Sequence, residues 1–321
     1  MQPQPLVSII TVNYNQPEVT CALIESIRAQ AYRNIETIVV DNGCKQKPFA
    51  PFAAQYPDVK LIESKHNLGF AGGNNLGIAA ARGQYYFFVN NDAELTADTI
   101  SVLLEAFERN PTLGAISPKL CYWPDPQHET NTIQYAGTTP VHAMTARNRT
   151  IGEREADRGQ YCTPPQQTAY THGAAMMVPR ATVERVGAWP ENFFLYYEEL
   201  DWCEQIRRAG YSIMVAPAAT VFHKESLTVG ASSPLKTYYL NRNRILFMRR
   251  NRGWAAWLAF LPFMVLVTIP KNIATYTLRR EWKLLAAYLR ALRWNIADTL
   301  RFDTSGFKFE VKLPQQRSFG F

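Results

Sequence analysis

LVSIITVNYNQPE, residues 6–18, is a short apolar run rich in β-branched residues that breaks into Asn, Tyr, Gln and Pro. The run reads as a buried strand ending in a polar turn. From Pro17 the period changes: Val19, Leu23 and Ile27 recur every four residues, which predicts a helix over 17–30 opened by proline. IETIVVD (35–41), VKLIES (59–64) and QYYFFVN (84–90) repeat the strand pattern, and helical stretches are read at 74–82 and 96–109. Strands separated by helices predict βαβ units, hence an α/β fold with a mostly parallel sheet flanked by helices. Further on, AYTHGAAMMVP (169–179) reads as another strand, and 198–210 as a helix that stops at Gly210. The intervening 121–168, rich in Pro, Thr, Gln and Asn, reads as long loops with short strands.

The chain has 321 residues, 47% hydrophobic and 19% charged, enough for one large domain or one domain with an appendage. This composition excludes a disordered, collagen-like or coiled-coil chain. Five scattered cysteines with no CxxC pair exclude a disulfide scaffold and a structural zinc site, and fit a reducing cytoplasm. The opening MQPQPLVSIITVN lacks the basic start and long apolar stretch of a secretory signal. The net charge of +7 is uneven. Residues 236–301 carry 13 Lys and Arg against Glu281 and Asp298, a local +11; residues 302–321 add +1, which leaves −5 for residues 1–235. Two units are therefore expected: a mildly acidic body at 1–235 and a basic helical region at 236–321 that seeks an anionic partner.

Within that region WAAWLAFLPFMVLVTIP (254–270) has 17 residues and no charge, interrupted by Pro262. That is near the lower limit for spanning a bilayer, where about 20 residues are usual. Leu278, Trp282, Leu285, Leu289, Leu292 and Ile296 then recur at steps of three and four, with Arg279, Arg280, Lys283, Arg290 and Arg293 elsewhere. The pattern is that of a basic amphipathic helix at a membrane interface. A helix packed on the protein's own body with a solvated basic face gives the same pattern; the adjacent uncharged stretch favours the membrane.

Ligands of open parallel sheets bind at the carboxyl ends of the strands. Those ends carry Thr11, Asn13 and Asn15; Asp41, Asn42 and Gly43; HNLGFAGGNN (66–75); and Asn90, Asn91, Asp92 and Glu94. Each alone is an ordinary turn or cap; four in succession mark one polar rim. NYNQPE after the first strand is not a GxGxxG turn, which excludes a dinucleotide dehydrogenase, and no GxxxxGKS/T loop exists. A nucleotide here would be held by carboxylates and amides, with a metal on its phosphates. Asp92, flanked by Asn90 and Glu94 on alternate positions, suits magnesium or manganese, although a cap for the following helix explains it equally. Glu198, Glu199 and Asp201, behind FFLYY, are either favoured by a helix dipole or set as a general base in an apolar pocket. His223 ends a later short strand, and a lone histidine is commonly structural.

Taken together, VSIITVNYN (7–15), IVVDNG (38–43), NLGFAGGNNLGI (67–78), FVNNDAEL (88–95), GAAMMVPR (173–180), YYEELDWCEQIRRAGY (196–211) and VFHKES (221–226) resemble the family 2 glycosyltransferases, in their rhamnosyltransferase-like branch. The resemblance covers residues 6 to about 250 in family order. It implies a GT-A fold, Mn2+ or Mg2+, a nucleotide-sugar donor (dTDP-rhamnose from the branch) and inversion at the anomeric carbon. The nucleotide-contacting candidates are Thr11, Asn13, Asn15, Asp41, Asn67, Gly69, Phe70, Asn74, Asn90 and Asn91, with Thr11, Asn13 and Asp41 matching base and ribose positions. Asn90 and Asp92 stand where the family has DxD, so Asp92 carries most of the metal binding, completed by His223. Glu199 matches the second acid of the family's Glu-Asp pair, the usual base, with Glu198 and Asp201 as its rivals. The implied acceptor is a saccharide, often polyprenyl-diphosphate-linked, at the cytoplasmic face of the inner membrane, where the C-terminal region would hold the enzyme on anionic lipid.

Two other classes compete. A sugar-nucleotide nucleotidyltransferase would need a glycine- and basic-rich loop after the first strand, and NYNQPE is none. A degenerate transferase serving as an assembly partner conflicts with the presence of Asp92, Glu199 and His223. No nucleic-acid partner is expected, because the basic region's apolar neighbour fits lipid.

Overall fold

A computed structural model describes residues 4–44, 52, 54–124, 131–162, 164–224 and 233–301. Residues 302–321 of the predicted C-terminal region, and Glu225 and Ser226 of VFHKES, lie outside the described residues. The strands are β1 (Val7–Asn13), β2 (Ile35–Asn42), β3 (Lys60–Ser64), β4 (Tyr85–Val89), β5 (Ala93–Leu95), β6 (Leu113–Tyr122), β7 (Ile133–Tyr135), β8 (Gln166–Gln167), β9 (Ala175–Pro179) and β10 (Ser212–His223). They form one sheet in the order β3-β2-β1-β4-β9-β6-β10-β5, with β7 on β6 and β8 on β10. β3, β2, β1 and β4 are mutually parallel, as the alternating pattern predicts. β9 enters antiparallel between β4 and β6, so the second half of the sheet is mixed.

The helices are α1 (Pro17–Arg28), α2 (Gly69–Ala80), α3 (Thr99–Arg109), α4 (Arg180–Val186), α5 (Glu198–Arg208), α6 (Pro234–Asn251), α7 (Trp254–Leu278) and α8 (Trp282–Arg301). Both faces of the sheet are covered, which is why its inner strands read as unbroken apolar runs. Ile9 and Phe87 face one core with Leu23 and Leu103, while Ile10 and Phe88 face another with Trp189 and Trp202. α2 lies so close to β1 that a Cβ on Gly77 would stand 2.3 Å from Ile10. Helix α2 therefore starts five residues earlier than periodicity alone predicts, because its glycines erase the apolar period.

β6 falls partly in the stretch read as loop. All ten of its residues are buried, but Ser117, Pro118 and Lys119 interrupt its apolar pattern. The strand read over 169–179 is shorter, because residues 172–175 form a turn closed by a bridge between His172 and Ala175.

The basic region does not begin as a separate body. Leu246, Phe247 and Met248 of α6, with Phe260 and Met264 of α7, share the core that holds Phe88 and Trp202. Much of its positive charge is internal: Arg242 and Arg244 are buried, Arg250 pairs with Asp201, and Arg252 with Glu204. α7 spans 25 residues, apolar and long enough to cross a membrane by length and composition. Its 264–268 turn is π-wound just after Pro262, which has no N–H to give the helix ladder. On α8 the buried side is Ala287, Tyr288, Ala291 and Asn295, whereas Trp282, Leu289 and Ile296 of the predicted apolar stripe are exposed.

Candidate active site

The register of three strands builds the Asp92 corner. After β4 the Asn90 N–H donates to the Ala174 carbonyl (2.9 Å), and the Ala93 N–H closes a turn onto the Asn90 carbonyl (3.1 Å). β5 then leaves antiparallel to β10 with Ala93 opposite His223, which sets Asp92 against the ring. Asp92 Oδ1 lies 3.1 Å from His223 Nε2, and Asn90 Nδ2 is 3.2 Å from the same nitrogen. His223 Nδ1 faces Gln134 Oε1 at 2.9 Å. An amide oxygen only accepts, so the ring proton sits on Nδ1. In the uncharged ring Nε2 then turns a lone pair toward Asp92 Oδ1. Two buried acceptors face each other, an arrangement that a cation stabilises.

Among the described residues no group of three His, Cys, Asp or Glu could hold a metal ion. A cation at this corner would take one carboxylate and one imidazole from the protein and would need oxygens of a bound molecule or water besides. Glu94, aligned with Asn90 and Asp92 by alternation, does not join them. The turn at 90–93 breaks the alternation, and Glu94 pairs with Lys224 at 2.9 Å. Gln134 was not legible in the sequence, since its position depends on β7 pairing with β6. His172 stands beside the corner, its ring centroid 6.2 Å from that of His223. Burial above all pushes His172 down to about 3, so it stays neutral.

At the other strand ends the polar side chains are largely engaged with each other. Asn13 accepts from Thr20 Oγ1 (2.9 Å) and donates to Cys44 Sγ (3.2 Å); the Asn15 N–H donates to the same sulfur (3.0 Å). The Cys44 N–H donates to Asp41 Oδ1 at 3.2 Å. Asn91 donates to Thr20, and Asn74 to the Phe70 carbonyl. Thr11 is fully buried and its hydroxyl has no partner. Asn15 and Asn67 are exposed, and Asp41 lies at the edge of the buried set. Asn67 Oδ1 accepts from the Gly69 N–H (2.9 Å), where a φ of +73° and a Cβ position 2.2 Å from the Phe194 carbonyl require glycine. Sequence reasoning missed Cys44, the hub of this rim.

The carboxylate segment sits at the start of α5. Phe194, Tyr196 and Tyr197 all have positive φ (66°, 68° and 74°), a strained backbone for such residues. It is held from α6: Asn243 Nδ2 donates to the carbonyls of Phe193 (3.0 Å), Leu195 (2.8 Å) and Tyr196 (2.7 Å). Arg242 Nη2 adds bonds to the Asn192 and Phe193 carbonyls. The three acids differ sharply. Asp201 is fully engaged, accepting from Arg250 Nε (2.9 Å) and Nη2 (3.1 Å), Asn251 (2.6 Å) and Gln205 (2.8 Å). Glu198 is buried with Oε2 unpartnered, and burial, then the Glu199 charge, push its carboxyl well up. Glu199 is half-buried, and burial pushes it up to about 7. Its Cβ and Cγ stand 4.0 Å from the Cβ position of Gly173, as does the Phe70 ring edge. Residues 172–174 therefore run between Glu199 and the Asp92–His223 corner.

Asn243→Ala takes this donor away from the Leu195 and Tyr196 carbonyls and leaves the Phe193 carbonyl to Arg242 and the Leu195 N–H. The expected loss is about 2–4 kcal/mol, read as a lower denaturant midpoint at unchanged slope.

The half-parallel sheet, the acid–histidine corner beyond β4 and the carboxylate segment across residues 172–174 define a GT-A-type transferase. The chain belongs to glycosyl transferase family 2, whose sequence model matches residues 8–182. The protein y4gI of Sinorhizobium fredii is 27% identical over 258 residues, 78% of this chain; the match spans only 28% of that relative's length. The N-acetylglucosaminyl-diphospho-decaprenol L-rhamnosyltransferase of Mycobacterium tuberculosis is 21% identical over 263 residues, 77% of this chain and 85% of the relative. In fold, the chain is similar to a crystal structure of GalNAc-T7 with UDP, GalNAc and Mn2+, with a TM-score of 0.60 at 14% identity over 78% of this chain and 48% of that one.

Proposed function

We propose that the chain moves a sugar, with inversion, from a nucleotide-sugar donor to a hydroxyl of a saccharide acceptor in glycan assembly at a membrane surface. The observation that carries this reading is the facing pair of acceptors, Asp92 Oδ1 and His223 Nε2, at the strand ends beyond β4. These two residues would hold Mn2+ or Mg2+. When bound, the ion neutralises negative charge on the leaving nucleoside diphosphate. The Mn2+ and UDP of the GalNAc-T7 structure support a cation and a nucleotide in this fold. Gln134 fixes the His223 tautomer from behind, as a carbonyl partner commonly does for a ligating histidine.

Asp41, Asn15 and Asn67 form the rim that meets base and ribose. Thr11, Asn13, Asn74 and Asn91 stand behind it and fix its shape. Glu199 is the base. Asp201 has no free acceptor, Glu198 keeps its proton, and Glu199 is partly exposed with its carboxyl pushed up to about 7 by burial. The acceptor oxygen bonds to the anomeric carbon, the bond from that carbon to the diphosphate oxygen breaks, and the acceptor proton passes to a Glu199 oxygen. The M. tuberculosis relative's name supports dTDP-rhamnose as donor and a polyprenyl-diphosphate-linked saccharide as acceptor.

The test is a panel of nucleotide sugars incubated with the purified chain, Mn2+ and saccharide acceptors. One donor class should be consumed, with product of the opposite anomeric configuration. No binding or turnover of any nucleotide sugar would sink the reading.

We further propose that α7 and α8 bring the enzyme to the cytoplasmic face of the plasma membrane. Trp254 (78% exposed) and Leu266 (74%) on α7, and Trp282, Leu289 and Ile296 on α8, leave apolar surface beside exposed Arg279, Arg280, Lys283, Arg290 and Arg293. The full chain should float with anionic vesicles at low salt. Added salt should weaken that binding without abolishing it, because it screens charge but not apolar burial. A chain that stays in the supernatant at low salt contradicts this.

A further inference from the structure

α6 and α8 leave between them a groove of about 610 Å3. Its walls include Leu235, Tyr238 and Tyr239 from α6, and Arg290, Arg293 and Trp294 from α8. No acidic side chain lines it among the described residues. Arg290 and Arg293 are exposed; the buried Arg242 guanidinium, 4.8 Å from the Tyr239 ring and 4.7 Å from that of Trp294, is bonded to the Asn192 and Phe193 carbonyls and does not line the groove. Two exposed arginines beside three aromatic rings, with no acidic side chain in the described lining, suit an anion that carries an apolar group.

Two further observations narrow the occupant. At 3.6 residues per turn, Arg293 and Arg290 lie roughly 40° and 100° around α8 from Leu289, whose line continues through Trp282 and Ile296. The arginine wall thus borders the exposed apolar stripe of the same helix. On the other side Tyr239 stacks on Phe194, ring centroids 4.9 Å apart and 17° from parallel. Phe194 accepts the Phe70 N–H through its carbonyl and precedes Glu198 by four residues. One aromatic layer therefore separates the groove from the carboxylate segment.

We infer that this groove receives the diphosphate of an isoprenoid-diphosphate-linked acceptor, with Arg290 and Arg293 on the phosphates and the isoprenoid leaving along the exposed stripe of α8. The inference rests on the transferase reading above and adds to it a site for the acceptor's lipid-side diphosphate, distinct from the donor's at Asp92.

The test uses farnesyl diphosphate as the probe, titrated into the full chain with Mn2+ and saturating uridine, guanosine or thymidine diphosphate. It should bind with the donor site filled. Each arginine contributes roughly 10-fold, the scale of one hydrogen bond to a charged group, so R290Q/R293Q should weaken it by about 10²-fold. R290K/R293K should retain most of the affinity, and both variants should bind the nucleoside diphosphate as the wild type does. The inference is overturned if wild-type protein does not bind the probe, or if R290Q/R293Q binds it unchanged. It is equally overturned if the nucleoside diphosphate displaces it, or if inorganic diphosphate or short-chain phosphatidylglycerol competes as well as the probe. Arginine-dependent binding of the probe by a chain that takes no nucleoside diphosphate would leave the groove standing and remove the donor reading instead.

Discussion

Asp92→Asn loses transfer by about 10³-fold or more, the scale of several kcal/mol of charge stabilisation at the leaving diphosphate. The same variant keeps its fold, and in chelator its melting temperature equals or exceeds that of the wild type. The reason is the contact itself. Asp92 Oδ1 and His223 Nε2 stand 3.1 Å apart, and Nδ1 is committed to Gln134. An amide at position 92 places a donor where the wild type has two acceptors. Steady-state transfer beside thermal melting checks both halves. If Asn at 92 destabilises the protein by more than about 1 kcal/mol, the scale of one hydrogen bond, His223 carries the proton on Nε2 and the corner is an ion pair, not a cation site.

Glu199→Gln should lower transfer by about 10²-fold or more, the lower range for a lost general base, while donor affinity stays nearly unchanged. The pH dependence fixes the sign. Burial raises the Glu199 carboxyl to about 7, so below that pH it holds a proton and cannot take one from the acceptor. Transfer by the wild type should therefore rise with pH through about 7, and the Gln variant should lose that limb. Gln substitutions at Glu198 and Asp201 act differently. At Glu198 a neutral amide replaces a carboxyl that stays protonated, so activity changes little. At Asp201 the Arg250 pair is broken, so stability falls before chemistry does. Near wild-type transfer by Glu199→Gln with an inactive Glu198→Gln would move the base to Glu198.

What the sequence makes legible follows from where the information lies. β1, β2, β3 and β4 are strands buried between covering helices, so local apolar runs announce them, and the polar residues at their ends are simply the next letters of the chain. Asp41 and Asp92 could be named for that reason, whereas Glu199 and His223 could be named from the acidic cluster at 198–201, the later strand and the family resemblance. β6 could not, because Ser117, Pro118 and Lys119 are buried in it by long-range partners: Ser117 donates to the Ala175 carbonyl, and Lys119 pairs with Asp157. Gln134, Cys44 and Asn243 were hidden in the same way. Each acts on a residue 30 or more positions away, through a contact that no local period encodes. The basic charge of 236–301 is not all outward: Arg242, Arg250 and Arg252 are spent inside, on the carboxylate segment and on α5, so the exposed charge belongs to the later arginines and lysines. On α8 small residues and Tyr288 pack inward, and Trp282, Leu289 and Ile296 of the predicted stripe stay exposed.

The central claim is that Asp92 and His223 join the protein to a nucleoside diphosphate through a divalent cation. Calorimetric titration of uridine, guanosine and thymidine diphosphates into the full chain tests it directly, with Mn2+ and then with excess chelator, for the wild type and for Asp92→Ala. The account predicts binding of one of them by the wild type only with Mn2+, and its loss in the variant under both conditions. Binding of equal strength in chelator, retained by Asp92→Ala, would contradict it.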